Sequence, residues 1–139
     1  MSTQPEVSLS KTSGLHVLVI ENEPVTASVI TSVMSGLGWT VDFAASGKAA
    51  KKLQQRQTYD VVLLDVTLPD IEGGSLYQQI KSQHGTALPV LLINALSEQV
   101  CDVAVMPEDD IVPDAANTRD IIYRCQTLAS ASADVAMSA

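Results

Sequence analysis

Short, continuously apolar runs alternate along the chain with amphipathic segments of helical length. The runs His16–Ile20, Val61–Leu64 and Pro89–Ile93 lack the polar–apolar alternation of a strand with one wet face, which is typical of strands buried on both faces. Trp39–Phe43 and Asp110–Val112 predict two more strands. Alternating strands and helices predict βαβ units, and therefore a five-stranded parallel sheet with helices on both faces, an α/β fold.

The first helix is predicted to begin at Pro24, because proline suits the first turn of a helix, and to end at Gly36 or Gly38. Its β-branched residues give it mediocre helix propensity, so packing must hold it. The apolar positions that recur with helical spacing are Val29, Ile30, Val33, Met34 and Leu37.

Further helices are predicted after each following strand. Ser46 suits the N-cap of a short second helix, and a third carries Leu76 and Ile80. The closing helix is predicted over Asn117–Leu128. Ser97–Pro107 leaves room for only a shortened helix between the fourth and fifth strands.

The pattern fits a single domain, and the chain of 139 residues has the length of one domain. We expect it to cover residues 14–129. The polar segment 1–13 and the Ala/Ser-rich segment 130–139 are expected to be a flexible leader and a flexible tail.

Composition excludes several classes of function. The formal net charge is -8, which argues against nucleic-acid binding because phosphate neutralisation needs clustered basic residues. Lys48, Lys51 and Lys52 are interpreted as a solvated helix face. No apolar run reaches the roughly 18–20 residues that span a bilayer, and the start has no signal-peptide pattern, so a cytoplasmic location is expected. Cys101 and Cys125 lack metal-ligand spacing and are interpreted as reduced, apolar residues.

Polar side chains follow three of the predicted strands. Glu21, Asn22 and Glu23 follow the first strand, Asp65 follows the third, and Asn94 follows the fourth. In doubly wound sheets the ligand site lies beyond the carboxyl ends of the strands. Carboxylates at such an edge either hold a hard cation such as Mg²⁺ or serve as acid and base.

Several segments resemble the response-regulator receiver domains of two-component signalling, the CheY-like family. Val19–Pro24 is similar to the acidic-pair segment of that family, and Leu63–Gly73 to its acceptor segment, with an Asp ending the third strand and a Pro-x-x-x-Gly turn beyond. Ala44–Gly47 and Leu88–Ile93 match the expected start of the second helix and the fourth strand. The resemblance covers roughly residues 15–128 and implies a flavodoxin-like fold with strand order 2-1-3-4-5.

The resemblance also implies a mechanism. Asp65 would take a phosphoryl group from a histidine kinase, with Mg²⁺ held by Glu21, Asn22, Asp65 and the main-chain carbonyl of Thr67. Asn94 would contact the phosphoryl group. The chain would be a signalling module in a phosphorelay and not an enzyme, apart from its own phosphorylation. Its protein partner, a kinase or downstream effector, would bind the surface formed by the fourth helix, the fifth strand and the closing helix.

Three departures from the family pattern weaken this mechanism. Asn22 replaces a charged ligand with a neutral amide, which predicts weak or absent Mg²⁺ binding. Asn94 replaces a Ser or Thr, although its amide can still donate a hydrogen bond to phosphate. The family Lys at the end of the fifth strand is missing: Asp114 aligns with it, or Val112 in an alternative alignment, and no Lys follows Lys81.

Three hypotheses therefore remain. The first is an atypical receiver that signals by protein contact, with weak or absent phosphorylation at Asp65. The second is a conventional Mg²⁺-dependent phospho-acceptor, and the third is a flavodoxin-like domain that binds a small ligand.

The acidic residues Asp109, Asp110 and Asp114 are interpreted as an exposed loop.

Overall fold

Strands and helices alternate through the part of the chain that the structure describes. The computed structural model describes residues 14–67, 73–84, 87–94, 109–112 and 117–138. The elements are, in order, β1 (His16–Ile20), α1 (Pro24–Gly36), β2 (Thr40–Ala44), α2 (Gly47–Arg56), β3 (Val61–Asp65), α3 (Gly73–His84), β4 (Val90–Ile93), β5 (Asp110–Val112) and α4 (Thr118–Ser138).

The five strands form one parallel sheet in the order β2-β1-β3-β4-β5, which confirms the predicted architecture and strand order. β3 lies at the centre, with Leu63 paired to Val19 of β1 and to Leu91 of β4. The chain order reverses between β1 and β3. The crevice at the carboxyl ends of these two strands is therefore the position at which sheets of this topology bind ligands.

Each face of the sheet is covered by its own hydrophobic layer. Val19 and Leu63 pack with residues of α1 and α4 on one face, whereas Ile20 and Leu64 pack with residues of α2 and α3 on the other. Successive side chains of a strand point to opposite faces. A strand covered on both sides must therefore be apolar at every position, which explains the continuous apolar runs.

The ends of some elements differ from the predictions. β2 and β4 begin one residue later than predicted, at Thr40 and Val90. The closing helix α4 runs to Ser138, past the predicted end at Leu128. The sequence after Leu128 is rich in alanine, the strongest helix former, and has no Gly or Pro to stop the helix. The leader 1–13 and the shortened helix predicted over 97–107 lie outside the described residues.

Only part of the apolar set that recurs with helical spacing along α1 is buried. Ile30 and Met34 are fully buried against the sheet, but Val29, Val33 and Leu37 are 47%, 41% and 45% exposed. The helix is apolar around most of its circumference, and a single stripe of it can face the sheet. Packing against the sheet therefore covers Ile30 and Met34 and leaves the other three residues partly exposed.

Candidate functional site

Two carboxyl groups from neighbouring strands are buried together at the carboxyl edge of the sheet. Asp65 ends β3 and Glu21 directly follows β1, and the register that pairs Ile20 with Leu64 places them side by side. Glu21 is 0% exposed and Asp65 is 1% exposed. The Glu21 N–H donates to the Ala44 carbonyl at 3.0 Å, which holds the chain against β2 as it leaves β1. The structure thus brings together the two acidic residues predicted to form the core of the site.

The Asp65 carboxylate is already engaged by the chain that follows it. Its Oδ1 accepts a hydrogen bond from the Thr67 N–H at 2.8 Å and a second from the Thr67 hydroxyl at 2.6 Å. Hydrogen bonds to a carboxylate are stronger than those between neutral groups. These two bonds fix the orientation of Asp65 and reduce the availability of Oδ1.

The Glu21 carboxyl group has one satisfied oxygen and one orphaned oxygen. Oε2 accepts from the Glu23 N–H at 3.1 Å, whereas Oε1 is buried and no group donates to it. The pKa of Glu21 is raised from 4.5 to about 8, first by burial and then by a hydrogen bond to Asp65 and repulsion from its charge, while backbone hydrogen bonds from Glu23 and Asn22 oppose part of this rise. At neutral pH Glu21 is therefore mostly protonated.

The same pair of carboxyl groups fits a hard cation. Mg²⁺ prefers oxygen ligands, and the orphaned Oε1 beside a second carboxylate is a position where a cation would replace the Glu21 proton. Glu21, Asp65 and the main-chain carbonyl of Thr67 would hold it. Within the described ranges no group of three or more His, Cys, Asp and Glu side chains is arranged to hold a metal. Mg²⁺ usually keeps several water ligands, and water would complete the coordination shell here.

The neighbouring polar residues do not strengthen this acidic site. Asn22 is exposed and carries no charge. Glu23 is also exposed, and its Oε1 caps α1 by accepting from the N–H groups of Val25 at 2.9 Å and Thr26 at 3.1 Å. A carboxylate at this position is favoured by the N-terminal end of the helix dipole. Glu23 thus has a structural role as a helix cap.

Asn94 follows β4 at the same edge of the sheet. Its backbone has φ 57°, in the left-handed region that asparagine tolerates better than most residues. The pairing of Asp65 with Ile93 places Asn94 one residue beyond the strand partner of Asp65. The side chain is half-buried. Asp114, predicted to stand in place of the family Lys, lies outside the described residues.

A buried ion pair at the opposite end of the sheet was not predicted. The Asp109 carboxylate, 0% exposed, lies 3.2 Å from Lys81 Nζ of α3. It also accepts from the Val90 N–H at 2.8 Å and from the Tyr77 hydroxyl at 2.5 Å, and Lys81 donates to the Leu88 carbonyl at 3.1 Å. The interpretation of Asp109 as an exposed acidic residue is therefore wrong. Lys81 and Asp109 are 28 positions apart along the chain, so the sequence pattern gave no sign of the pair.

A five-stranded doubly wound sheet with a buried acidic pair at its β1–β3 crevice defines the class of flavodoxin-like α/β domains with a candidate cation site. Within that class, the chain belongs to the response regulator receiver domain family, whose profile matches residues 17–112. The predicted family resemblance is thereby confirmed. The match also decides for a receiver and against a flavodoxin-like domain for a small ligand. Receiver domains are signalling modules and not enzymes.

Individual relatives agree with this assignment. The chain is 29% identical over 115 residues to the TorCAD operon transcriptional regulatory protein TorR of Escherichia coli K12, covering 81% of this chain and 49% of TorR. It is 32% identical over 114 residues to the "Probable transcriptional regulatory protein TcrX" of Mycobacterium tuberculosis, covering 81% of this chain and 48% of TcrX. The chain thus spans about half the length of these curated relatives.

A solved receiver domain from a sensor histidine kinase of Pseudomonas aeruginosa PAO1 is also similar. It has a TM-score of 0.66 and 27% identity, with 83% of this chain and 99% of that domain covered. That structure holds a magnesium ion in its active-site cleft, so Mg²⁺ binding occurs among receiver neighbours of this chain. Over the residues described here, no helix combines the length and the apolar character needed to cross a bilayer.

Proposed function

We propose that this chain is an atypical receiver that relays a signal by protein contact, with weak or absent phosphorylation at Asp65. The observation that carries the proposal is the low charge of the site. Glu21 holds a proton at neutral pH because its pKa is raised to about 8, and Asn22 contributes no charge. Since ligand charge strongly influences the binding of hard cations, Mg²⁺ binds weakly near neutral pH.

The surroundings of Asp65 support the same proposal. The nucleophile of a phosphoryl transfer must have a free oxygen directed at the donor. In this chain Oδ1 is held by two donors from Thr67, and the buried Glu21 lies beside Asp65 at the end of the neighbouring strand. Phosphorylation would have to displace the Glu21 proton and keep the remaining Asp65 oxygen accessible.

A partner surface near β5 and α4 remains part of the proposal. Arg124 of α4 donates to Asp110 at 2.8 Å and to the Ile111 carbonyl at 3.4 Å, both in β5, and to Asp120 within α4 at 2.9 Å. These bonds join β5 to α4 in one charged, partly exposed surface. We infer that a histidine kinase or an effector protein binds there, at the cytoplasmic location predicted from the sequence.

The conventional phospho-acceptor is a second candidate, and a specific observation favours it. The orphaned Glu21 Oε1 is a good cation ligand once its proton is lost. When bound, Mg²⁺ would offset the charge on the phosphoryl group during transfer to Asp65. In this case Glu21 and Asp65 orient the cation, and the Thr67 hydroxyl orients Asp65.

Labelling by a small phosphoryl donor separates the two candidates. The chain is incubated with acetyl phosphate and millimolar Mg²⁺, and the phosphorylated fraction is read by intact mass, with Asp65→Asn as the blank. We expect little labelling of the wild type. Near-stoichiometric labelling that disappears in Asp65→Asn would refute the proposal and establish the conventional receiver.

Restoring the acidic pair provides a gain-of-function test. Asn22→Asp adds the missing carboxylate, and we expect it to tighten Mg²⁺ binding by roughly tenfold or more. Asn22→Ser is the matched control, because it changes the same exposed side chain without adding charge. Equal Mg²⁺ affinities in the two variants would show that low site charge is not what limits binding.

A further inference from the structure

A cavity lies between α2 and α3, at the end of the sheet opposite to Glu21 and Asp65. It has two compartments of about 160 and 180 Å³, which share Gln54 of α2 and His84 of α3 and therefore join at these two side chains. Together they reach the lower end of the range of small-molecule sites, about 300 Å³. The proposed function uses no residue of this cavity.

Two buried nitrogen atoms at the junction of the compartments have no hydrogen-bond partner among the described residues. They are Nε2 of Gln54 and Nε2 of His84. An amide NH₂ group can only donate, and the His84 ring donates when Nε2 carries its proton. A buried donor without an acceptor is costly, and buried polar groups in proteins are normally satisfied. The junction is therefore a position where a ligand with acceptor oxygens gains two hydrogen bonds.

The first compartment is bordered by groups that favour a negative charge. Its side chains are polar and none is acidic: Lys51, Gln54, Gln55, Gln79, Gln83 and His84. α2 has no acidic residue and carries four of the eight basic residues of the chain, Lys48, Lys51, Lys52 and Arg56. These full charges outweigh the partial negative charges, about half a charge each, at the C-terminal ends of α2 and α3. An anionic group is therefore attracted to this compartment.

The second compartment suits an apolar group. Its lining includes Tyr59, Ala87 and Leu88. The Tyr59 hydroxyl donates its proton to Asp42 at 2.8 Å, so this side chain offers the compartment its ring and no spare donor. Leu88 is buried, and its carbonyl accepts from Lys81 Nζ at 3.1 Å. This apolar wall is thus fixed before a ligand arrives, as is usual for small-molecule sites.

We propose that this cavity binds a small carboxylic acid that carries an apolar or aromatic substituent. The carboxylate lies between Gln54 and His84 and accepts a hydrogen bond from Nε2 of each, and Lys51 supplies a positive charge beside it. The substituent packs against Leu88 and the Tyr59 ring. Since the cavity and the acidic pair lie at opposite ends of the sheet, binding requires neither Mg²⁺ nor phosphorylation of Asp65. Its failure would therefore leave the proposed function untouched.

Titration of the full chain with phenylacetate, followed by two-dimensional proton–nitrogen NMR, tests the proposal. We expect saturable shifts of the Gln54 side-chain amide and the His84 ring, with a dissociation constant below about 1 mM. Phenylacetamide has the same shape without the charge, and acetate has the charge without the ring, so each should bind at least tenfold more weakly. No saturable binding at millimolar phenylacetate, or equal affinity for either comparison compound, would overturn the proposal.

Removal of one donor separates a ligand site from a structural role. Gln54→Leu nearly keeps the size of the side chain, and we expect it to weaken phenylacetate binding at least tenfold. Its resistance to urea unfolding should be unchanged or higher, because it loses a buried donor that has no acceptor. Gln78→Leu makes the same change at an exposed position of α3 outside both compartments and should leave binding intact. A Gln54→Leu variant that unfolds more easily than the wild type, or binds phenylacetate as tightly, would overturn the proposal.

Two variants of His84 provide a second measurement. His84→Leu removes the ring nitrogen and should also weaken phenylacetate binding at least tenfold. His84→Gln keeps a donor nitrogen and should retain part of the affinity. Equal affinities of these two variants would exclude His84 as the second donor and overturn the proposed binding mode.

Discussion

Glu21→Gln should stabilise the protein above neutral pH and make its stability less dependent on pH. The folded-state pKa of Glu21 is about 8, against an ordinary value of 4.5. Between these pH values the folded chain holds a proton that the unfolded chain has released. Stability is therefore highest, as far as this group is concerned, below about pH 4.5, and it falls as pH rises towards about 8.

The displaced pKa also gives the size of the effect. One unit of pKa corresponds to about 1.4 kcal/mol. The raised pKa of Glu21 therefore lowers the free energy of unfolding, relative to its value at low pH, by about 3 kcal/mol near pH 7 and by about 5 kcal/mol above pH 8. Glutamine has nearly the shape of the protonated acid. It accepts from the Glu23 N–H, donates its amide towards Asp65, and has no proton to lose, so the variant escapes most of this penalty.

Urea unfolding followed by the fluorescence of the buried Trp39 measures the effect. It is recorded from about pH 5 to about pH 9 with a chelator present, because a cation would replace the Glu21 proton. Glu23→Gln makes the same chemical change at an exposed carboxyl group two residues away; because it also weakens the cap of α1, only the pH dependence of its stability is compared with that of Glu21→Gln. If the wild type and Glu21→Gln lose stability in parallel over this range, Glu21 is not the group that titrates.

The affinity for Mg²⁺ should rise with pH, whereas the stability of the metal-free protein falls. The cation and the Glu21 proton compete for the same oxygens, so the apparent Mg²⁺ affinity rises as pH approaches the pKa of about 8. Isothermal titration in buffers of different ionisation enthalpy detects the released proton. A Mg²⁺ affinity that is the same at pH values well below and above 8 would contradict direct competition.

Three other parts of the fold give further predictions. Lys81→Met should lower the free energy of unfolding by about 3 kcal/mol, because it leaves the buried Asp109 carboxylate without its cation. Arg124→Met breaks partly exposed ion pairs and should lower it by about 1 kcal/mol or less. Equal losses of stability in urea unfolding would mean that the burial of Asp109 is unimportant. Asn94→Ala should be about 1 kcal/mol less stable than Asn94→Gly, because only glycine adopts φ 57° without strain; thermal unfolding should rank the two, and the opposite order would exclude backbone strain. The Cys125 thiol is buried, which raises its pKa to about 12. It should therefore resist alkylation in the folded protein and react after unfolding. Peptide mapping that finds Cys125 modified under native conditions would contradict this.

Local patterns were sufficient for most of the fold. The uninterrupted apolar run Val61–Leu64 could only be a strand covered on both faces, and Ser46 before a helical pattern gave the start of α2, where its hydroxyl accepts from the Ala49 N–H. Strand ends followed by acidic residues also predicted that Glu21 and Asp65 meet at one edge, because the carboxyl ends of parallel strands share that edge. These inferences need only the neighbours of each residue along the chain.

Other properties depend on which surfaces meet in three dimensions. The apolar residues of α1 have the same character along the chain, and contact with the sheet alone distinguishes the buried Met34 from the exposed Val33. Asp109 has the sequence context of an exposed loop, and only the packing of α3 beside β4 and β5 gives it Lys81 as a partner. The sequence by itself thus determined the strands, the parallel sheet and the acidic pair, because periodicity and strand ends are local, whereas the strand order was implied by the family resemblance. Burial, partner choice and the raised pKa of Glu21 were decided by the tertiary structure, because desolvation and ion pairing depend on groups that are distant along the chain.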